Sequence, residues 1–402
     1  MKILVLNAGS SSLKYSVYEN EELILLAKGV VEKIGDSNGK IGHKYLRNGT
    51  QNEWVVEENI GDHYQALQTV VSLLKSENHG VIKDIKEIAF VGHRVVHGGE
   101  FFSSSHLIDE NLKQKVKELI PLAPLHNPPN LLGIEVSQEI FPDSIQVAVF
   151  DTAFHQTIPE YTFRYAVPDK YYKDFGIRLY GMHGTSHRYV TEETAKYLGK
   201  SKNDINLITI HLGNGCSISA IKEGKCIDTS LGFSPLPGLV MGTRSGDIDP
   251  SIIFHLIRQH RFSYQEVEIA LNKESGLKGL TGLTDLRDIH KKRKEGDKSA
   301  VLALEIYCYR IKKYIGAYLA AIGALDAIVF TAGVGENDEY VRANTLKGLG
   351  HLGITVDSDK NERSGSGIRE IHQPGSNIKL LVVPTDEEKQ IALSTLKFHN
   401  QN

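Results

Sequence analysis

Apolar positions along this chain gather into short runs that end on glycine, and those runs set the predicted elements. Residues 207–210 read as a buried strand. That run meets His211-Leu212-Gly213-Asn214-Gly215 and resumes through Ser217, Ile218, Ser219, Ala220 and Ile221. The same pattern opens the chain, with an apolar run at 3–6, then Asn7-Ala8-Gly9-Ser10-Ser11-Ser12, then Leu13-Lys14-Tyr15-Ser16-Val17. Each predicts strand, polar glycine turn, strand. Glycine beside asparagine admits positive φ and leaves backbone N–H groups bare, which suits an anion such as a phosphate. Two such hairpins about half a chain apart predict a duplicated fold with a phosphate site between its halves.

Residues 3–34 alternate as strands with one hairpin, and 35–53 continue as a polar, glycine-containing stretch. A helix is predicted over 63–76, with Ala66, Leu67, Val70, Val71 and Leu74 on one face. Residues 85–91 read as a strand that delivers Gly92-His93-Arg94-Val95-Val96-His97-Gly98-Gly99-Glu100. Asp109 is a plausible N-cap for a helix to about 119. Pro121, Pro124, Pro128 and Pro129 then argue against regular helix or central strand, and predict a rigid loop holding Leu125 and His126. A buried strand over 145–150 ends on Asp151.

An aromatic stretch over 161–180 leads to Gly181-Met182-His183-Gly184-Thr185-Ser186-His187, and a helix is predicted from about 188 to 198. Residues 232–247 form a long Gly/Pro-rich segment, and such segments inside compact domains are usually functional. The clearest helix covers 299–324, roughly 39 Å at 1.5 Å per residue. Its stripe is Val301, Leu304, Cys308, Ile311, Ile315, Leu319 and Ile322. A strand over 327–330 runs into Gly333-Val334-Gly335-Glu336-Asn337, a glycine turn that opens a helix whose amides could face an anion. After a last strand at 379–383, Thr385-Asp386-Glu387-Glu388 caps a terminal helix.

Length and charge narrow the class. A chain of 402 residues predicts two domains. A net charge of −3 argues against non-specific nucleic-acid binding, so an anionic substrate has to be held by local charges. Cys216, Cys226 and Cys308 form no C-x-x-C pair, which fits a reducing compartment and offers no metal framework. No apolar run suits a signal peptide or a membrane span, so the reading is cytoplasmic. There is no P-loop, no dinucleotide fingerprint after a strand and no G-x-S-x-G elbow.

The polar candidates sit at strand ends or in glycine- and proline-rich loops: Asn7, Ser10, Ser12, Lys14, Arg94, His126, Asp151, His183, Asn214, Arg244, Asp285, Arg287, Glu336 and Glu387. Singly, each has a plain explanation. Arg94 could pair with a surface carboxylate, His183 could be a satisfied structural histidine, and Glu387 a helix cap. Their shared placement is where open α/β folds put sites. Two arginines, a histidine and glycine turns suit phosphoryl transfer, where catalysis is mainly alignment plus positive potential.

With these residues in view, the chain resembles the acetate kinases, in the superfamily of actin, the sugar kinases and the heat-shock ATPases. The resemblance runs through Asn7 to Lys14, Gly92 to Glu100, Phe150-Asp151-Thr152-Ala153-Phe154-His155, His183 to His187, His211 to Gly215, Met241-Gly242-Thr243-Arg244-Ser245-Gly246-Asp247-Ile248-Asp249 and Gly333 to Asn337. It implies α/β architecture in two domains, each with a ribonuclease-H-like core: residues 1–151 with 386–402, and a nucleotide-binding domain over 152–385. It implies reversible transfer from ATP to acetate, Mg²⁺ (with Mn²⁺ as an alternative ion) and a homodimer.

By motif, Arg94 matches the arginine that holds the acetate carboxylate. Arg244 and His183 match the pair that stabilises the phosphoryl group in flight. Asp151 matches the catalytic aspartate, and Asn7 and Glu387 the Mg²⁺ site. Ser10, Ser12, Lys14, His211, Leu212, Gly213, Asn214, Gly215, Asp285, Leu286, Arg287, Gly333, Val334, Gly335, Glu336 and Asn337 match nucleotide-binding segments. Val96, Leu125, His126 and Pro235 match the pocket around the acetate methyl. Met182, Pro237 and Leu286 depart from the usual family residues. The near rival is a propionate kinase with the same motifs, and the distant one a nucleotide-switched binding protein, which needs a partner-binding domain.

Overall fold

The structure is a computed structural model, and it describes residues 1–36 and 38–399. The chain divides into two compact units, one of residues Met1–Phe154 plus the segment from Asp386 onward, the other His155–Thr385.

In the first unit, β1 (Lys2–Ala8), β2 (Ser12–Glu19), β3 (Ile24–Glu32), β4 (Gly39–Arg47) and β5 (Thr50–Glu58) form an antiparallel meander. The polar stretch at 35–53 therefore falls largely in the β4–β5 hairpin. Its turn residues, Asn48 and Gly49, both take positive φ, which tight hairpin turns require. Helix α1 (His63–Lys75) follows and is capped by Asp62; Val71 is only half-buried, while His63 and Leu73 join its buried face. β6 (Ile88–Val95) pairs parallel to β1. The predicted strand at 85–91 begins instead with a 3₁₀ turn over Ile85–Glu87, because Asp84 and Glu87 close a capping box there. The short β7 (His106–Leu107), α2 (Glu110–Glu118), α3 (Asn127–Ile140) and β8 (Ile145–Phe150) complete this half.

Helix α3 corrects the expectation of a rigid loop through 121–129. Pro128 and Pro129 fall in its first turn, where a missing N–H costs nothing and φ is already helical. The helix is tied down by asparagines. Asn130 accepts from Val96 N at 3.0 Å and donates to Ala8 O at 2.7 Å. Asn127 accepts from His97 N at 3.2 Å and donates to His97 O at 3.1 Å.

The second unit contains α4 (Glu160–Phe163), α5 (Lys170–Phe175), α6 (Gly184–Tyr197), β9 (Leu207–Leu212), β10 (Cys216–Lys222), β11 (Lys225–Thr229), α7 (Ser251–His260), α8 (Tyr264–Lys273), α9 (Gly276–Thr281) and α10 (Leu286–Lys294). It continues through α11 (Lys298–Ile322), β12 (Ala327–Thr331), α12 (Ala332–Asn337), α13 (Glu339–Leu346), α14 (Ser358–Glu362), β13 (Arg369–Glu370) and β14 (Lys379–Val382). Helix α6 starts four residues before its expected position, so Gly184 to His187 form its first turn rather than a loop. In α11, Val301 and Leu319 are half-buried, and Tyr307 and Tyr318 take part of the core face. The chain then returns to the first unit as α15 (Glu387–Leu396), capped by Asp386, which accepts from Lys389 N at 2.9 Å.

The two sheets share one plan. Among the described residues the first runs β5-β4-β3-β2-β1-β6-β8-β7 and the second β11-β10-β9-β12-β14-β13. In each, three antiparallel strands adjoin two parallel ones, β6 and β8 in the first, β12 and β14 in the second. That repetition is the duplicated α/β fold. In β1, Leu4, Leu6 and Ala8 face a core shared with α1 and α3, while Ile3 and Val5 face one shared with α15. In the second sheet, Ile208, Ile210, Leu212, Cys216, Ile218 and Ala220 pack against α11. The alternate positions, Thr209, His211, Ser217 and Ser219, are buried too, so the opposite face of these two strands is polar.

Asn130→Ala strips a buried N–H and a buried carbonyl of their partners. It is expected to lower the stability of the first unit by about 3 kcal/mol. Urea unfolding followed by a first-unit probe such as Trp54 checks this, and an unchanged midpoint would contradict the anchoring role.

Candidate active site

The first unit concentrates its polar groups at the ends of β1, β6 and β8. Asn7 lies near the end of β1, Arg94 near the end of β6, and Asp151 directly after β8, with its N–H donating to Val95 O at 3.0 Å. The Arg94 guanidinium donates to Asp151 Oδ2 from Nε at 3.0 Å and from Nη2 at 2.5 Å. Its Nη1 reaches Asn7 Oδ1 at 3.4 Å, and Glu387 Oε2 lies 4.0 Å from Nε. Asp151 is 1% exposed. Burial works against the charge on Arg94, but Asp151 and then Glu387 hold it on, so its pKa stands above the ordinary arginine value. The Glu387 carboxyl is pushed up to about 7, first by burial; Arg94 opposes this and Asp151 adds to it. The structure therefore brings Asn7, Arg94, Asp151 and Glu387 together.

The neighbouring turn is braced from below. Gly9 N donates to Ser12 O at 2.8 Å, and His63 Nε2 meets Gly9 O at 2.7 Å. Ser10 and Lys14 are exposed, Ser12 is half-buried, and Lys14 stands opposite Asn7 in the β1–β2 register. Val96 is buried, with its N–H fixed by Asn130. His126 is exposed at the N-cap of α3, and Leu125 beside it is 70% exposed.

In the second unit His183 caps α6 in the left-handed region, at φ 58° and ψ 24°. A non-glycine residue there is strained, and such strain collects at functional positions. Its ring stacks on His211 with centroids 4.4 Å apart. Gly215 is the residue that makes room. A Cβ there would stand 2.7 Å from Arg244 Nη2 and 3.4 Å from His183 Cε1. The glycine at 215 thus lets a guanidinium and an imidazole border the same space.

Arg244 is held by its loop. Its Nη1 donates to Pro235 O at 2.6 Å, and burial lowers its pKa from the usual arginine value. The loop is stitched by Gly238 N to Asp247 Oδ1 at 2.7 Å and by Tyr314 Oη to Asp247 Oδ2 at 2.8 Å.

A cavity of about 730 Å³ opens in the same unit. Its walls include Gly213, Asn214, Asp285, Leu286, Arg287, Gly333, Val334 and Asn337 from the sequence reading. Asp285 caps α10 and pairs with the exposed Arg287, whose hydrogen bonds bring the Asp285 carboxyl down to about 2. His211, Leu212, Gly215, Gly335 and Glu336 are not among the lining residues. Leu212 is fully buried in the core, and Glu336 Oε1 accepts from Thr385 N at 3.1 Å. Residues that the sequence reading missed also line the cavity, among them Thr284, His290, Arg293 and Tyr340. His290 Nε2 meets Asp338 Oδ2 at 2.8 Å, and Arg293 lies over the Tyr340 ring at 4.1 Å. A signal for two of them, His290 and Arg293, was present in the basic end of α10, five to nine residues beyond Asp285.

Residues 2–393 match the model of the Acetokinase family. The acetate kinase of Nitratidesulfovibrio vulgaris (strain DP4) is 49% identical over 397 residues, covering 98% of this chain and 99% of that protein. Among solved structures, the Porphyromonas gingivalis acetate kinase superimposes with a TM-score of 0.94 at 45% identity, over 99% of each chain. A propionate kinase from Francisella tularensis superimposes at 0.90 with 42% identity, over 98% of this chain and 99% of that one.

Removing Arg94 takes from the buried Asp151 carboxylate the guanidinium it is paired with. Arg94→Ala is expected to cost about 3 kcal/mol, and adding Asp151→Asn to return much of it, since breaking a buried pair costs more than deleting it. Thermal unfolding of the single and double variants checks this. A double variant less stable than Arg94→Ala would contradict it.

Proposed function

The chain belongs to the acetokinase family, and on that premise we propose that it is an acetate kinase, moving the γ-phosphoryl group of ATP to acetate reversibly. The observation that carries this reading is the fixed, paired Arg94 at the strand ends of a chain that matches acetate kinases over nearly its whole length. A carboxylate oxygen of acetate attacks the γ-phosphorus, the bond to the bridging oxygen breaks, and ADP leaves with that electron pair. Acetyl phosphate is the product.

Acetate is already ionised near neutral pH, so no base has to remove a proton. The difficulty is repulsion between two anions. Arg94 is assigned to the acetate carboxylate, and Arg244 and His183 to the equatorial oxygens of the transferring group. Asp151 orients Arg94, an alignment role. Val96, Leu125, His126 and Pro235 are assigned to the methyl group. The cavity walled by Asn214, Asp285 to Arg287 and Gly333 to Asn337 is assigned to the nucleotide, together with the remaining glycine-turn residues Ser10, Ser12, Lys14 and His211 to Gly215.

Among the described residues no three His, Cys, Asp or Glu side chains gather into a metal cage. Mg²⁺ does not need one, because it keeps waters and takes substrate phosphates as ligands. Asn7 and Glu387, with Asp151 beside them, offer oxygen donors only, which suits Mg²⁺ or Mn²⁺. The burial that raises the Glu387 carboxyl is the condition a bound cation would relieve. When bound, the ion supplies charge neutralisation on the phosphates.

No described helix is long and apolar enough to cross a membrane, and the three cysteines are buried and unbridged. Those thiols favour a reducing compartment, the cytoplasm. The homodimer reading is supported by α7, which buries no residue in its own chain and exposes Ile252 and Phe254. Sedimentation velocity is expected to show a dimer, and Phe254→Glu a monomer. A wild-type monomer at micromolar concentration would sink this assignment.

Hydroxylamine trapping of acyl phosphate tests the reaction, with ATP, Mg²⁺ and acetate, propionate or butyrate at matched concentrations. Acetate is expected to give most product, propionate less by about ten-fold, since one methylene is worth about 1–3 kcal/mol, and butyrate little. Chelating the divalent ion is expected to abolish all of it. Propionate equal or better would move the assignment to a propionate kinase, and no acyl phosphate from any acid would overturn the enzyme reading.

A further inference from the structure

The polar face of the second sheet carries a chain of hydrogen bonds that ends on His183. Thr209 Oγ1 lies 2.8 Å from His187 Nδ1. His187 Nε2 lies 2.7 Å from Ser217 Oγ, and Ser217 Oγ lies 2.9 Å from His183 Nδ1. Strand register builds the chain. Thr209 and Ser217 sit on β9 and β10 with side chains on the same face, and His187 reaches them from the first turn of α6. Thr209, His187 and Ser217 are all fully buried.

Each hydroxyl has one proton to give, and a neutral imidazole gives one and accepts one. Ser217 touches two ring nitrogens, so it cannot donate to both. Among the described residues neither Ser217 nor Thr209 has another hydrogen-bond partner for its hydroxyl. One direction alone uses every proton: Thr209 donates to His187, His187 donates to Ser217, and Ser217 donates to His183. The reverse leaves the Thr209 proton buried without an acceptor. A third arrangement, both rings donating to Ser217, does the same to the serine proton. Either loss costs about 1–3 kcal/mol. His187 stays neutral, as the scheme requires, because burial and then the nearby His155 and His211 hold its pKa well below the ordinary histidine value.

We infer that Thr209, His187 and Ser217 are positioning residues that form a one-way relay, holding the proton of His183 on Nε2 so that this ring presents an N–H donor. Nε2 borders the space over Gly215, where the Arg244 guanidinium also points. An N–H there adds a second donor beside the cation, which suits an oxyanion. The opposite tautomer would turn a lone pair to the guanidinium and compete with the anion for it. The kinetic side of the relay rests on the reading of His183 as a phosphoryl-facing residue. The tautomer itself does not.

The test is a long-range ¹H–¹⁵N correlation on the whole enzyme with labelled histidine, the His183 signals being identified by their loss in His183→Gln. The wild-type spectrum is expected to show His183 protonated on Nε2 with a bare Nδ1. Thr209→Val removes the donor that fixes the direction. It is expected to give a mixture of tautomers and an about ten-fold lower kcat with KM values little changed. Thr209→Ser is expected to restore both. A wild-type His183 carrying its proton on Nδ1, or an unaltered tautomer in Thr209→Val, would overturn the relay. Should Thr209→Val not fold, the wild-type spectrum decides alone. An unchanged kcat in His183→Gln would instead refute the role of His183 in turnover, and the relay would still stand or fall on the spectrum.

Discussion

Polar groups buried in a protein have to be paired, and both units are arranged around that demand. In the first, the backbone at the end of β6 leaves the sheet with its amides uncovered. Asn127 and Asn130 of α3 take them up, and Asn130 spans to Ala8 O as well. Those two side chains fix where β1 and β6 stop, and so where Asn7 and Arg94 stand. In the second, one face of β9 and β10 is polar, and it is tolerable because hydroxyls and imidazoles from β9, β10, β11 and α6 satisfy one another. Such a layer is costly to leave half-made and hard to rearrange once complete. Rigidity of that kind is what a site needs if its charges are to meet a transition state without reorganising.

The electrostatics follow from the same burial. Arg94 would be expensive to bury alone, and Asp151 makes it tolerable while orienting it. Glu387 pays in the other direction, its carboxyl being drawn toward the protonated form by burial and by Asp151. Among the described residues Arg244 has no such carboxylate within hydrogen-bonding reach; its Nη1 uses a backbone carbonyl, Pro235 O. A guanidinium steadied by a neutral acceptor keeps its full positive charge for an incoming anion. Gly215 completes this arrangement by having no side chain, since a Cβ there would collide with the guanidinium.

Much of this was legible in the sequence where local chemistry dictates structure. Apolar runs ending in glycine marked β1, β9 and β12, and single capping aspartates marked α2 and α15. The failures have physical causes. Proline was read as a helix breaker through 121–129, but Pro128 and Pro129 occupy a first turn that tolerates them. Residues 39–58 are too polar to look like strands, because β4 and β5 lie at the outer side of the sheet and expose much of their length. Residues 207–210 were read as an apolar run, yet Thr209-Ile210-His211-Leu212 and Ser217-Ile218-Ser219 alternate with period two. That alternation is the visible sign of a strand pair with one apolar and one polar face, both buried.

Duplication explains why the useful residues recur at matching places. Both sheets place a hairpin turn after the first strand and free ends after the two parallel strands. In the first unit those ends carry Asn7, Arg94 and Asp151. In the second they carry His211, Thr331 and, two residues past the last strand's neighbour Val383, Thr385. The first set is mainly charged, and the second is built from hydroxyls and an imidazole. Ser186 joins His211 to Thr385 through its hydroxyl at 2.8 Å on each side, so the second set is internally tied as Arg94 ties the first. One fold thus offers the same strand ends twice. Substitution at those ends, rather than any change of topology, separates a charged anchor from a neutral, donor-rich cradle.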